Sequence, residues 1–255
     1  LITFGLEHSS VLIPAYYLQR RHGVQVRVLP LEPAEEADSI VQKVEAAITD
    51  RTRLVFFSHI QYTSGLRMPA EAIREVTRDR GVWTLLDGAQ TAGHIALDLR
   101  ALDCDFYSIP AQKWLLGPDG AGALYVREDL IPTVQPVRVS GRAALSHDDQ
   151  GNFEANDSSI DKFLLTTRSA PLCAGFAETV RFMQDVGLED IERRVLSLAR
   201  QLKSALSEIP GVTVVSPVRE ALSSGLTSFQ IEGVEPDVAV GRLWEEHRIV
   251  TRQGR

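Results

Sequence analysis

Two side chains in this sequence have types and settings that could share one chemical task. Asp87 closes the apolar stretch "VWTLLD" and is followed by "GAQ", and Lys113 stands between Gln112 and Trp114 in "SIPAQKWLLGPDGAG". An aspartate at the end of an apolar strand is partly buried, and a buried carboxylate needs a cationic partner or hydrogen-bond donors. A lysine framed by Pro110, Trp114, Leu115 and Leu116 is expected to be partly desolvated, which makes its amine a useful nucleophile near neutral pH. The simplest reading is an Asp87–Lys113 pair. A sharper one puts a cofactor between them. Pyridoxal phosphate needs a lysine to form a Schiff base with its aldehyde, and an acid near its ring nitrogen so that the pyridinium stays protonated and acts as an electron sink.

The elements that would carry these residues alternate along the first two thirds of the chain. "LITFGL", "VQVRVLPL", "TRLVFFSHI", "VWTLLD", "CDFYSI" and "GAGALYV" have strand character. "VLIPAYYLQRRHG", "EEADSIVQKVEAAI" and "PAEAIREVTRDRG" have helical spacing, with Gly23 and Gly81 closing two of them and Pro69 opening the third. This alternation predicts an α/β domain with a mostly parallel sheet, and such sheets gather ligands at the carboxyl ends of their strands. Residues 134–162 are polar and aperiodic, which predicts a long loop or flap. Two amphipathic helices follow, and the tail reads strand, strand, helix, strand. The predicted division is a large domain over residues 1–168 and a smaller α+β domain over 169–255.

Composition narrows the class. Of 255 residues, 44% are apolar and 24% charged, as in soluble globular proteins. The formal charge of −7 disfavours nucleic-acid partners. No apolar run approaches the ~18–20 residues of a membrane span. Two cysteines, Cys104 and Cys173, make no disulfide framework and suit a reducing compartment; both are expected in the core, and the protein in the cytoplasm. The chain opens and closes on strand-like residues, so an internal fragment of a longer enzyme is expected.

The stretch "LLDGAQTAGHIALDLRALDCDFYSIPAQKWLLGPDGAGALYV" resembles the cofactor segment of class V-fold pyridoxal-phosphate enzymes: cysteine desulfurases, cysteine/cystine C–S lyases, isopenicillin N epimerase-like proteins and several aminotransferases. "TFGLEHSSVLIP", "TRLVFFSHIQYTSGLRMP" and "FLLTTRSAP" are similar to further family segments, so the likeness covers nearly the whole chain. It implies a fold-type-I architecture, a mostly parallel mixed sheet sandwiched by helices with a smaller α+β C-terminal domain. It implies that Lys113 is the Schiff-base lysine, Asp87 the partner of the pyridine nitrogen, and Gln90 the donor to the phenolic oxygen. His8 matches the ring-stacking histidine, Thr63 a polar residue near the phenolic oxygen, and Arg252 a residue near the substrate carboxylate. Thr167 matches a threonine offered to the partner subunit's cofactor phosphate, which implies a homodimer. Two positions depart from the family: Gln112 stands where histidine is common, and Pro110 where a phosphate-binding hydroxyl is expected, with Ser108 two residues earlier. His94 sits in a turn and is read as structural, and Gly117, Gly120 and Gly122 as turn glycines. The implied activity acts on an amino acid, with cysteine/cystine C–S lysis or desulfuration first, and transamination or epimerisation as alternatives. A cofactor-free scaffold on the same fold is the non-enzymatic alternative.

Overall fold

The computed structural model of the chain describes residues 1–165 and 167–254. Its first part forms β1 (Ile2–Phe4), α1 (Ser9–His22), β2 (Arg27–Leu29), α2 (Ala37–Ala47), β3 (Leu54–Ser58), α3 (Ala70–Asp79), β4 (Trp83–Asp87), α4 (Leu99–Leu102), β5 (Phe106–Pro110) and β6 (Gly122–Val126). The six strands make one sheet in the order β2-β1-β3-β4-β5-β6. All neighbours run parallel except β5 and β6. This is an α/β fold with a mostly parallel mixed sheet flanked by helices. Strands of this kind are covered on both faces and therefore read as unbroken apolar runs. Phe4, Val55, Phe57, Leu86 and Tyr107 pack here with Ile40 and Val44 of α2 and Ile73 of α3.

Residues 134–162 are more ordered than a loop. They hold an antiparallel hairpin of β7 (Ala144–His147) and β8 (Phe153–Ala155). Asp148 makes its turn by accepting hydrogen bonds from Gln150 N and Asn152 N, both at 2.9 Å, and Gly151 supplies a left-handed residue at φ 92°. The chain continues with α5 (Ala170–Val186), α6 (Leu188–Ser207), β9 (Val212–Val214), β10 (Phe229–Ile231) and α7 (Pro236–His247). The strand expected at "RIVTRQGR" is not formed among the described residues; it has no neighbouring strand to complete a ladder. Of the cysteines, Cys104 is buried, but Cys173 is exposed on α5, because it lies on the face of that helix turned from the sheet.

Phe176 and Met183 of α5, with Leu188 and Ile191 of α6, pack on Ala92, Ile109 and Leu115. Beyond that apolar contact the C-terminal part is fastened to the sheet by directed polar bonds. Arg67 N donates to Leu222 O (2.9 Å), Ser224 Oγ to Gly65 O (2.7 Å), and Ser228 Oγ to Thr63 O (2.5 Å).

The start of β5 is anchored by Asp105, which is fully buried. Its carboxylate accepts from Thr84 N at 2.7 Å and Thr84 Oγ1 at 3.1 Å on β4, and pairs with Arg127 at 2.5 Å and the buried Arg74 at 3.5 Å. Removing one partner of such a buried set leaves uncompensated charge, at a cost of about 3–5 kcal/mol. Asp105→Ala is therefore expected to lower the unfolding free energy by that amount, read as a lower denaturant midpoint at unchanged m-value; a loss under about 1 kcal/mol would show that Asp105 does not anchor the strand.

Candidate active site

The register of the parallel strands sets the site. Ser58 pairs across to Asp87, and Asp87 to Ser108, so three polar side chains stand abreast on one face at the carboxyl edge of the sheet. β1 ends beside them and delivers Glu7 and His8. Glu7 is buried. Its two oxygens take Ser58 N (3.0 Å each), Ser58 Oγ (2.5 Å) and Gln61 Nε2 (2.7 Å). Burial pushes its carboxyl up to about 7 against these donors, and the nearby Asp87 adds to the rise. His8 caps α1, accepting Ser10 N at 3.1 Å on Nδ1, and packs edge-on to Tyr62 with centroids 5.0 Å apart.

Asp87 sits half-buried at the end of β4. Its Oδ1 accepts Ala89 N at 2.9 Å and Ser108 Oγ at 3.4 Å. The strand end is seated from below: His59 N donates to Asp87 O at 3.0 Å, and an added Cβ on Gly88 would run into the Tyr107 ring. Tyr107 O–H is bonded to His59 Nδ1 at 2.9 Å, and burial pushes His59 down to about 3, so this pair is uncharged.

Lys113 follows β5 by three residues and is exposed. The desolvation expected from its apolar frame is not found. Leu115 turns inward and Trp114 is half-buried, while Leu116 is 66% exposed; the apolar side chains point under the turn and the lysine points out of it. No ion pair joins Lys113 to Asp87 among the described residues, so the simple pair is not formed either. Gln90 and the turn are joined through Trp114, whose Nε1–H donates to Gln90 Oε1 at 2.8 Å. An indole N–H can only donate, so the Gln90 oxygen faces it and the amide N–H groups point elsewhere.

The other expected residues are placed less centrally. Thr63 has a buried Oγ1 with no hydrogen-bond partner, and its carbonyl is held by Ser228. Thr167 is exposed in the connection before α5, and Arg252 is exposed after α7; no bond ties either of them to Asp87, Gln90 or Lys113 among the described residues. Pro110 ends β5 opposite Gly122, and Ser108 Oγ is directed at Asp87. Glu7, Ser58 and His59 are the functional-edge residues that the sequence reading passed over. The signal for Glu7 was a carboxylate directly after an apolar strand, the same one that drew attention to Asp87.

The groups left over on this edge fit pyridoxal phosphate. Asp87 Oδ2 has no hydrogen bond among the described residues and can accept from a ring N–H. The Gln90 amide N–H groups can donate to a phenolic oxygen. Lys113 offers a primary amine for the aldehyde.

The chain is similar to known proteins along its whole length. The family model of aminotransferase class-V matches residues 1–255. Isopenicillin N epimerase of Amycolatopsis lactamdurans is 34% identical over 90% of this chain and 60% of its own length. A probable cysteine desulfurase of Halalkalibacterium halodurans is 31% identical over 94% of this chain and 57% of its own. The apo structure of the cysteine desulfurase from Thermococcus onnurineus NA1 superimposes with a TM-score of 0.86 at 25% identity, covering 98% of this chain and 61% of that one. A cystine C–S lyase in complex with its product cysteine persulfide gives 0.87 at 26%, covering 98% and 67%. The chain thus spans about 60% of the curated relatives it matches. With the match running from end to end and the leftover donors suited to pyridoxal phosphate, the chain belongs to the aminotransferase class-V family of pyridoxal-phosphate enzymes.

Proposed function

We propose that this protein uses pyridoxal phosphate to cleave the C–S bond of cysteine or cystine, as a C–S lyase or desulfurase. The observation that carries the reading is the triple of Asp87 Oδ2, Gln90 amide and Lys113 amine on one strand edge, each with bonding capacity to spare. Cysteine desulfurases and a cystine C–S lyase among the similar proteins support the substrate class.

When bound, the cofactor supplies an electron sink for the substrate's α-carbon. Lys113 Nζ would hold the cofactor through its aldehyde and, as a free amine, would be the base for the substrate's α-proton. Asp87 Oδ2 would accept the ring N–H, and Gln90, its orientation fixed by Trp114, would donate to the phenolic oxygen. Glu7 ties the end of β1 to β3 through Ser58 and Gln61, which fixes the turn carrying His8; the imidazole then offers its face to the ring. Thr167 reaching a partner subunit, Arg252 on the substrate carboxylate, Thr63 near the phenolic oxygen and a cytoplasmic homodimer complete the proposal. The relative from Amycolatopsis lactamdurans favours a second reading, in which Lys113 would take the α-proton and the same carbon would regain one on its opposite face, so that the product is the epimer.

Added pyridoxal phosphate is expected to give the full-length protein a visible absorbance band. Borohydride should fix the cofactor on the Lys113 peptide by mass spectrometry, and Lys113→Ala should lose both signals. A colourless protein in excess cofactor would sink the enzyme reading. Sulfide release from cysteine or cystine supports C–S cleavage, whereas solvent deuterium at Cα of recovered substrate without sulfide supports epimerisation. Asp87→Asn should lower kcat by about 10²–10³-fold, the loss typical of a directed electrostatic partner.

Glu7 gives the apo fold a pH signature. Its folded value of about 7 lies above the ordinary glutamate value of 4.5, so between those pH values the folded state holds a proton that the unfolded state has released. Stability should fall with rising pH across that window, by about 1.4 kcal/mol per pH unit. Glu7→Gln should flatten the slope there, as read from denaturant titrations at pH 5, 6 and 7 (roughly the window's span). An unchanged slope would place the proton elsewhere.

A further inference from the structure

His94 is the one fully buried histidine that the proposed chemistry leaves unused while it touches the lysine turn. Its ring stacks on Trp114 with centroids 3.9 Å apart and planes 18° apart. Gly225 N donates to Nε2 at 2.8 Å, and Nδ1 lies 2.7 Å from Gln90 O. The backbone N–H of Gly225 can only donate, so Nε2 carries the lone pair. Nδ1 therefore carries the proton and donates to Gln90 O. Both bonds hold only for the neutral ring, and burial does push the His94 pKa down.

Each neighbour of this ring is fitted to it. A Cβ on Gly225 would fall 2.7 Å from His94 Nε2, so only glycine lets that N–H approach. Gly93, at φ 85°, lies so close under the turn that a Cβ there would meet Trp114 O at 2.6 Å. The turn itself is strained. Leu116 takes the left-handed region at φ 59°, at about 1–2 kcal/mol for a non-glycine residue. It is closed by Leu116 N to Lys113 O at 3.0 Å and Gly117 N to Ala111 O at 2.8 Å. A strained turn with an exposed lysine persists when its surroundings fix it, and what fixes it is Trp114, held by the His94 stack on one side and Gln90 on the other.

We infer that His94 is a positioning residue: held between Gly225 and Gln90, it clamps Trp114 so that Lys113 and the Gln90 amide keep one relative placement, and it makes that placement depend on the docking of residues 222–228. This rests on the pyridoxal-phosphate reading for its consequence in turnover, though not for the clamp itself.

The test uses the full-length protein in a Trp83→Phe/Trp244→Phe background, where Trp114 is the only tryptophan of this sequence. His94→Phe keeps a stacked ring and loses both bonds; His94→Gln keeps an amide that can both accept and donate. For His94→Phe the expected results are a shifted Trp114 emission and amides of Leu116 and Gly117 that exchange about tenfold faster or more. kcat should fall about 10–100-fold, as for sub-ångström misplacement of a reacting group, with substrate KM altered less than about threefold. His94→Gln should recover most of each. Should His94→Phe not fold, Gly225→Ala is expected to give the same emission and exchange changes, and Trp114→Phe, which removes the emitting ring, the exchange changes alone. Unchanged emission and exchange overturn the clamp, as does a His94→Gln protein no better than His94→Phe. A wild-type protein that takes no pyridoxal phosphate but still shows the emission and exchange changes refutes the enzyme reading and leaves the clamp standing.

Discussion

The placement of β4 between β3 and β5 is the constraint on which the site depends. Ser58, Asp87 and Ser108 stand abreast because the three strands are in one register. In a sheet the side-chain period is two, so a slip of one residue would turn Asp87 to the opposite face. The register is fixed at both ends of β4. At its start Thr84 is bonded through backbone and hydroxyl to Asp105. At its finish Gly88 lies against the Tyr107 ring, and Asp87 O takes the His59 N–H. Between these ends, Leu86 and its apolar neighbours are buried, and burial of each large side chain contributes about 1.5–3 kcal/mol. Apolar packing supplies the strength, and the polar groups at the two ends select which residues face each other.

The same edge carries two carboxylates close enough to influence one another, and they differ in surroundings. Glu7 is buried, whereas Asp87 is half-open to the edge. Of two acids that repel, the more buried one gives up its charge first. Glu7 accordingly retains its proton up to about pH 7, which removes a negative charge from beside Asp87 under mildly acidic conditions. Ser58 and Gln61 still satisfy its oxygens, so the turn bearing His8 stays tied to β3. One carboxyl serves the backbone and the other faces the space where a ligand would lie. Pairs of acids whose environments separate their behaviour are a recurring device of active sites.

Much of this was legible in the sequence where the pattern and the packing obey the same rule. The inner strands β1, β3 and β4 read as apolar runs because both faces of a parallel sheet are covered there, whereas β2 and β6 at the two edges are more exposed. Asp87 and Lys113 stood out because polar residues at the ends of such runs collect at one edge, and Gln90 was singled out by the family resemblance. The hairpin of β7 and β8 was missed because its strands are three or four residues long and its order comes from the Asp148 side chain bonding its own backbone, a signal that also marks plain turns. A final strand was expected at residues 248–255 from apolar content alone, but a strand is stable only with a neighbour, and neighbours are not visible in a local window. Lys113 looked desolvated because Trp114, Leu115 and Leu116 adjoin it in sequence. In a tight turn consecutive side chains point different ways, so adjacency along the chain does not give contact in space.

The C-terminal part meets the site through a seam of directed bonds. Gly65 and Gly225 are both places where a Cβ would strike the opposing segment: at Gly65 it would fall 2.6 Å from Leu226 O, and at Gly225 2.7 Å from His94 Nε2. An apolar contact tolerates small sliding, because dispersion and burial vary smoothly with position. Hydrogen bonds weaken steeply with distance and angle, and glycine contacts of this kind admit little displacement. Residues 222–228 are bonded at Gly65, Arg67, Thr63 and His94, so they have one seat against the sheet. Three of those contacts are on the loop after β3 and one is on the turn after β4. The segment therefore bears on the support of Gln90 and Trp114 through His94, and it makes no hydrogen bond to Asp87, Gln90 or Lys113 among the described residues. A displacement of residues 222–228 would reach the lysine turn through the His94 ring, which bonds Gly225 and stacks on Trp114, while α5 and α6 bear on the same turn through Leu115.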